Sequence, residues 1–412
     1  MNKIKKCRVC GSSSLKTVFN LGEQFLTGVF PKDKKINPTI GPLELMVCGG
    51  DNSCQLTQLS YSFPPHEMYG EDYGYNTSLN LSMVNHIKEL VSDIEERIDI
   101  TSSDCVLDIG SNDATLLLSY KDSDIRKFGI DPSAEKFSNL YKKSLLAVDF
   151  FSKESIYSNF GNKIRFKVIT AVSMFYDLDN PIQFLSDAES VLDDKGVIVL
   201  EQSYLLSMLE TNSFDTVCHE HVEYYSIKQI EYIAKKSNLK IFDLSFSDAN
   251  GGSFRVFLCK NSSDTFINAS VDKCIAKESS YYANIDEYWL NFMDRIQIER
   301  VKLIDLIDSA KRKGKKVAIL GASTKGNSLL QYYDLTPDRI CGVGEVNVKK
   351  FDRYTPGTGI KIVNEDDLLT DEEIDFFIVL PWHFKNNFLR NPKYKGRKLV
   401  FPLPYVKEYI VK

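Results

Sequence analysis

Cys7, Cys10, Cys48 and Cys54 stand as a C-x-x-C followed by a second pair with five residues between its members. Thiolates from two such knuckles close a tetrahedral zinc site and staple a segment too small for a core of its own. Two unrelated buried pairs are the alternative; a redox C-x-x-C would need a βαβ context that is absent here. On this reading the metal is structural and takes no part in chemistry. A second cluster is His219-Glu220-His221, which holds two of the chain's five histidines and is flanked by Cys218 and Tyr224-Tyr225. An imidazole beside a carboxylate suits general-base work near neutral pH. If the tripeptide is extended, both imidazoles face one way. Zinc ligation would need a third ligand that the sequence does not nominate, and a structural hydrogen-bonded pair is the other alternative.

Asp108-Ile109-Gly110-Ser111-Asn112-Asp113 falls where an apolar strand gives way to a helix, and Asp131-Pro132-Ser133 ends the next strand. Small residues such as Gly110 let the backbone approach a ligand, and an acid at the second strand's tip accepts from ribose hydroxyls. The loop lacks the further glycines of a pyrophosphate cradle. It therefore fits a nucleoside without phosphates, such as S-adenosylmethionine, with Asp108, Gly110, Asn112 and Asp131 around it. Asp149 and Phe150 offer an acid and an aromatic ring to an adenine. Tyr73 to Ser78, including Tyr75, can line a polyol pocket or simply pack at a helix entry. Gly321 to Asn327, carrying Lys325, reads either as an anion cradle for a nucleotide diphosphate or as a plain βα turn. Asn250-Gly251-Gly252-Ser253 reads as a hairpin turn.

The elements that must position these residues follow from periodicity. Apolar residues between Tyr75 and Arg97 recur at i+3 and i+4, predicting a long helix. Short β-rich runs at 105–110, 127–131, 166–171 and 196–201 then alternate with polar or helical stretches, the rhythm of a parallel sheet with crossover helices. Residues 267–313 predict one or two linker helices, and a second α/β alternation begins at Lys316. The expected architecture is α/β: a small zinc module over 1–70, a nucleoside-binding core over 71–265, and linker helices with a second Rossmann-like domain over 266–412. With 412 residues, 51 Lys and Arg against 56 Asp and Glu, and a net charge of -5, the chain lacks the basic excess that nucleic acid or an anionic membrane surface requires. No run approaches the roughly 20 apolar residues of a membrane span. Nine thinly spread cysteines argue for reduced thiols and a cytoplasmic setting.

The ordered set of motifs resembles the nucleotide-sugar C-methyltransferase family. It comprises the four cysteines, Tyr73 to Ser78, Asp108 to Asp113, Phe214 to His221, Gly251 to Arg255, Gly321 to Asn327 and Arg353 to Thr358. The resemblance implies a zinc-binding module, a class I methyltransferase core that uses S-adenosylmethionine, and a C-terminal Rossmann-like domain. It implies methylation of a carbon next to the ketone of a nucleotide-diphosphate-linked 4-keto-deoxyhexose, for a branched sugar of a surface polysaccharide or natural product. His221 is then the base, Glu220 orients or balances the histidines, and Tyr75 or His219 stabilises the oxyanion. Tyr73, Cys218, Asn250, Lys325, Asn327 and Tyr354 fall on the substrate side. The chain departs from the family at Cys218, where tyrosine is usual, and at Asp177 and Asn250, where histidine is common. Asp177 is thus a reserve candidate for the proton relay. A sugar O- or N-methyltransferase and a non-catalytic nucleotide-sugar binding protein are the rival readings.

Overall fold

The computed structural model describes residues 1–36, 38–50, 52–68, 76–122 and 124–412. Tyr73 and Tyr75 lie outside the described residues.

The N-terminal module is built on β1 (Leu15–Phe25), β2 (Ile40–Cys48) and β3 (Thr57–Leu59). Apolar residues alternate inward along β2, with Leu43, Leu45 and Val47 buried, as a sheet with one covered face demands. Helix α1 (Leu81–Arg97) follows, its first turn capped by the Asn80 side chain, which accepts from the Ser82 and Met83 amides. Its buried stripe is Met83, Ile87, Leu90, Val91 and Ile94. Burial of that stripe against the next sheet supplies most of the helix's stability.

The middle domain then runs β4 (Cys105–Ile109), β5 (Arg126–Ile130), β6 (Ser144–Ala147), α2 (Lys153–Phe160), β7 (Phe166–Val172), α3 (Pro181–Val191), β8 (Leu192–Ser203) and α4 (Leu205–Glu210). It continues with β9 (Glu223–Tyr224), α5 (Ile227–Lys236), β10 (Leu239–Ser247) and β11 (Ser253–Lys260). Its seven-stranded sheet has the order β6-β5-β4-β7-β8-β11-β10, with β11 antiparallel to both neighbours. The order reverses between β4 and β7, which opens a crevice at their carboxyl ends.

The linker predicted over 267–313 is two helices, α6 (Ala269–Ala283) and α7 (Ile285–Arg312). The last domain comprises β12 (Lys316–Leu320), α8 (Thr324–Tyr332), β13 (Val343–Glu345), β14 (Ile362–Asn364), β15 (Ile374–Val379), β16 (Lys398–Phe401) and β17 (Lys407–Ile410). Its sheet order is β14-β13-β12-β15-β16-β17, again with a reversal beside the first strand.

The short strand β9 does not join the middle sheet. It pairs antiparallel with β3, Glu223 opposite Gln58 and Tyr224 opposite Thr57, so the module's sheet is β9-β3-β2-β1. The segment just after His219-Glu220-His221 is therefore part of the N-terminal module's sheet. A single cluster of buried apolar side chains, from Cys7 to Val411, runs through all three parts. Among the described residues no helix is long and apolar enough to cross a membrane.

Candidate active site

The four thiols converge. Cys7 Sγ is 3.6 Å from Cys54 Sγ, Cys10 Sγ is 3.7 Å from Cys48 Sγ, and all four sulfurs lie within 4.8 Å of one another. A tetrahedron with Zn–S bonds of about 2.3 Å has sulfurs about 3.8 Å apart, so the donor set fits a closed structural zinc site. The staple is also tied to the middle domain. Arg8, between the first two cysteines, donates to Asp179 Oδ1 at 3.1 Å and to the Leu59 carbonyl at 2.7 Å. Gln229 of α5 donates to the Cys54 carbonyl at 2.7 Å. Zinc held by these thiols would thus brace β3, the strand that β9 pairs with, and the loop that precedes β9.

In that loop the His221 amide donates to the Cys218 carbonyl at 3.3 Å, closing a turn that sends the two imidazoles apart. His219 is fully buried in the module, its Nε2 3.2 Å from the Gly41 carbonyl and its ring edge-on to Phe63. A carbonyl only accepts, so Nε2 carries the proton, and burial pulls the ring down to a pKa of about 4. His219 is thereby taken away from any cleft. Glu220 is buried against Thr27 and Gly28, where a Cβ on Gly28 would sit 2.6 Å from Glu220 Oε1 and push the carboxylate aside. Burial raises its carboxyl.

His221 turns the other way. Its Nδ1 lies 2.8 Å from the Thr216 carbonyl, which fixes the proton on Nδ1 and leaves the Nε2 lone pair free. Its ring packs on Tyr176 at 4.2 Å between centroids. Burial first, then the Lys325 charge, lowers it to a pKa of about 3, so it stays neutral at working pH. The pocket beside it, lined by Tyr204, Met208 and Tyr224 among others, has the room of roughly one water molecule. Cys218 is buried, its thiol pushed well up by burial and then by Glu220. Asp177 follows Tyr176 on the same short 3-10 turn, and its charge reaches Cys218 and Tyr224.

The other wall comes from the C-terminal domain. Lys325, in the first turn of α8, donates from Nζ to the Asn250 carbonyl at 3.2 Å. Asn250 Nδ2 lies 3.5 Å from Ser173 Oγ at the end of β7. Trp382 donates from its indole to Asp215 Oδ2 at 2.9 Å and packs where a Cβ on Gly251 would clash. The reversal crevices of the two α/β domains therefore face each other. The anion-cradle reading of Gly321 to Asn327 changes: Glu345 already accepts from the Ala322 amide, and Ser323 Oγ from the Gly326 amide. The donors still unspent beside that turn are those of the Lys325 ammonium. Asn327 is buried with Nδ2 on the Thr27 carbonyl, and the Tyr354 amide donates to Pro31, so both belong to the joint between domains.

At the carboxyl ends of β4 and β5, Gly110 has φ +73°, and a Cβ there would meet Met174 at 3.3 Å. Asp131 Oδ2 accepts from the Asn112 amide at 2.9 Å and Oδ1 from the Ser133 amide at 2.6 Å. Oδ1 also accepts from Ser133 Oγ at 2.7 Å, so Asp131 ties the glycine loop to the tip of β5 and keeps its spare lone pair on Oδ2. Asp108 is buried and accepts from Thr170 at 2.6 Å; burial lifts it to a pKa of about 7, and it supports the loop from beneath. Asp149 and Phe150 are exposed beyond β6, Phe150 by 61%. An exposed ring and an open glycine turn at this crevice fit a nucleoside. We expect Asp131→Ala to weaken S-adenosylmethionine by about tenfold or more, roughly 1.4 kcal/mol, in calorimetry; unchanged affinity would mean that the ribose sits elsewhere.

Sequence reasoning gives no individual role to Tyr176, Asp215, Thr216, Trp382 or His383. Thr216 acts through its carbonyl, which leaves no trace in sequence. His383 had a signal, a rare histidine just after strand β15.

This strand order, with an antiparallel seventh strand and a nucleoside loop at the reversal, defines a class I methyltransferase dependent on S-adenosylmethionine. Three family models match in succession: a zinc binding domain over residues 7–69, a methyltransferase domain over 83–244 and a C-methyltransferase C-terminal domain over 248–404. C-methyltransferase NovU of Streptomyces niveus is 26% identical over 410 residues, covering 97% of this chain and 96% of NovU. The chain is thus similar to C-methyltransferases, part by part along its length. Among solved structures, the mitomycin 7-O-methyltransferase MmcR aligns at TM-score 0.35 and 13% identity, over 44% of this chain and 55% of its own. Magnesium protoporphyrin IX methyltransferase ChlM of Synechocystis PCC 6803 aligns at 0.35 and 10%, over 46% and 90%.

Proposed function

We propose that the enzyme methylates the carbon α to the ketone of a nucleotide-diphosphate-linked keto-deoxysugar, through an enolate formed by His221, in the cytoplasm. The observation that carries this reading is the Nδ1 hydrogen bond of His221. It fixes the tautomer and leaves the one basic nitrogen unspent, while burial and the Lys325 charge keep the imidazole neutral. S-Adenosylmethionine, when bound at Gly110, Asn112, Asp131, Asp149 and Phe150, supplies an electrophilic methyl. His221 Nε2 takes the α-proton, and the C–H pair becomes the carbon–carbon double bond of the enolate. The void beside Tyr204 holds a water but not a sugar ring, so the acceptor meets His221 from the Asn250 and Lys325 side. Glu220 braces the loop against Thr27, and Tyr176 keeps the imidazole in plane with its work. Cys218, Asp177 and Asn250 shape the acceptor pocket.

The test is incubation in deuterium oxide with a panel of nucleotide-linked keto sugars, read by mass spectrometry. We expect deuterium at the α-carbon without the methyl donor, and a carbon-bound methyl with it. A methyl on oxygen or nitrogen with no α-exchange would sink the enolate and favour an O- or N-methyltransferase.

A further inference from the structure

Lys325 is an unusual cation. It reaches out of the C-terminal domain into the joint with the middle domain, donates one hydrogen bond to the Asn250 carbonyl, and among the described residues forms no ion pair. An ammonium has three donors, so two remain to be met by whatever enters the cleft. The opposite charge acting on it most is Asp215, a carboxyl that already accepts from the Trp382 indole and is itself pushed toward its neutral form by burial. Its charge acts on two imidazoles, His221 and His383. It sits beside Asn250, which in turn contacts Ser173, and Ser173 begins the short segment that carries Tyr176 onto the His221 ring.

An ammonium in this position can do more than anchor a phosphate. Enolate formation moves negative charge from the α-carbon to the carbonyl oxygen, and a fixed cation in a site shielded from water is worth most where charge develops in the transition state. A neutral histidine held in a buried site is a weak base, so more of the barrier must be met by stabilising the oxyanion. His219, one candidate for that donor, is committed to Gly41.

We infer that Lys325 is a catalytic residue of the proton-transfer step, its ammonium hydrogen-bonding the carbonyl oxygen of the acceptor as that oxygen becomes an enolate. This deepens the enolate reading above and rests on it. In the step, the α C–H bond breaks and an Nε2–H bond forms on His221. The C–H pair becomes the C=C bond, and the C=O π pair moves onto oxygen, where Lys325 holds it without giving up a proton. His221 afterwards releases the proton to solvent.

The experiment measures α-proton exchange in deuterium oxide, without methyl donor, on a thymidine-diphosphate-linked 4-keto-6-deoxyhexose. It compares wild type, Lys325→Met and Lys325→Arg. We expect Lys325→Met to exchange at least about 10²-fold more slowly at saturating sugar, the scale of removing one oxyanion donor, with little change in KM. S-Adenosylmethionine affinity should be unchanged, which also reports that the variant is folded. Lys325→Arg should recover part of the rate. Removing the positive neighbour should move the His221 titration, followed by NMR, to higher pH. Should Lys325→Met instead raise KM and leave the saturated exchange rate intact, Lys325 is a phosphate anchor and the inference is overturned. A wild-type enzyme that methylates carbon without any exchange would overturn the enolate reading itself, a result distinguishable because it does not involve the variant.

Discussion

His221→Asn should lose both α-proton exchange and carbon methylation, by about 10²–10⁴-fold, while binding S-adenosylmethionine as tightly as the wild type. The asparagine amide can still donate to the Thr216 carbonyl, so the turn closed by Cys218 is kept and the basic nitrogen alone is removed. Exchange and methylation must fall together, because both pass through the same enolate. Calorimetry with S-adenosylmethionine and single-turnover methylation are the two measurements, and a loss of affinity would show instead that the variant has disturbed the fold. The pH profile carries a further sign. With its pKa held near 3 by burial and by Lys325, His221 is deprotonated over the whole range above about pH 5, so exchange should show no inflection near the ordinary histidine value of about 6.5. An inflection there would mean that another group, an imidazole or the Asp108 carboxyl with its pKa of about 7, controls the exchange. If His221→Asn keeps near-normal exchange while Asp177→Asn loses it, the relay runs through the carboxylate on the 3-10 turn that carries Tyr176.

Removal of zinc should have the second-largest effect, and it should fall on the chemical step. The metal joins the Cys48 to Cys54 knuckle to Cys7 and Cys10; the knuckle leads into β3, and β3 is the strand that β9 pairs with. Arg8 meanwhile fixes Asp179, two residues beyond Asp177. Without zinc both walls of the His221 pocket lose their support, whereas the Gly110 loop keeps its ties to Asp131 and to the Thr77 amide. We therefore expect chelated enzyme, or Cys7→Ser, to lose about 10²-fold in exchange and methylation, the scale of a displacement of about 1 Å in the reacting groups. S-Adenosylmethionine affinity should stay within about twofold, and metal content measured on the same samples ties the loss to zinc. Equal losses in cofactor binding would show that the module holds up the whole molecule. Unchanged turnover after complete metal loss would show that β9 keeps its register unaided.

The sequence by itself determined what depends on residue type and short-range spacing. Four cysteines in two knuckles name a thiophilic metal. Apolar β-rich runs at 105–110 and 316–321, each followed by a glycine turn, name two parallel sheets. The cysteine set and the two sheets survive into the structure because zinc–thiolate chemistry and backbone periodicity are local properties of the chain. What the tertiary structure alone decided is where equal side chains go. His219 and His221 are indistinguishable by type, yet one is spent on Gly41 and the other on Thr216, because a single turn aims them at carbonyls supplied by different domains. Strand β9 is too short to declare its partner, and its pairing with the zinc module follows from which edge of β3 is open when the three cores close. Lys325 read as part of a phosphate turn, but Glu345 and Ser323 satisfy amides of that turn and free its side chain for the cleft. Long-range packing chooses among partners that local sequence leaves equivalent, since each buried donor and acceptor must be met by whichever group the fold brings within about 3 Å.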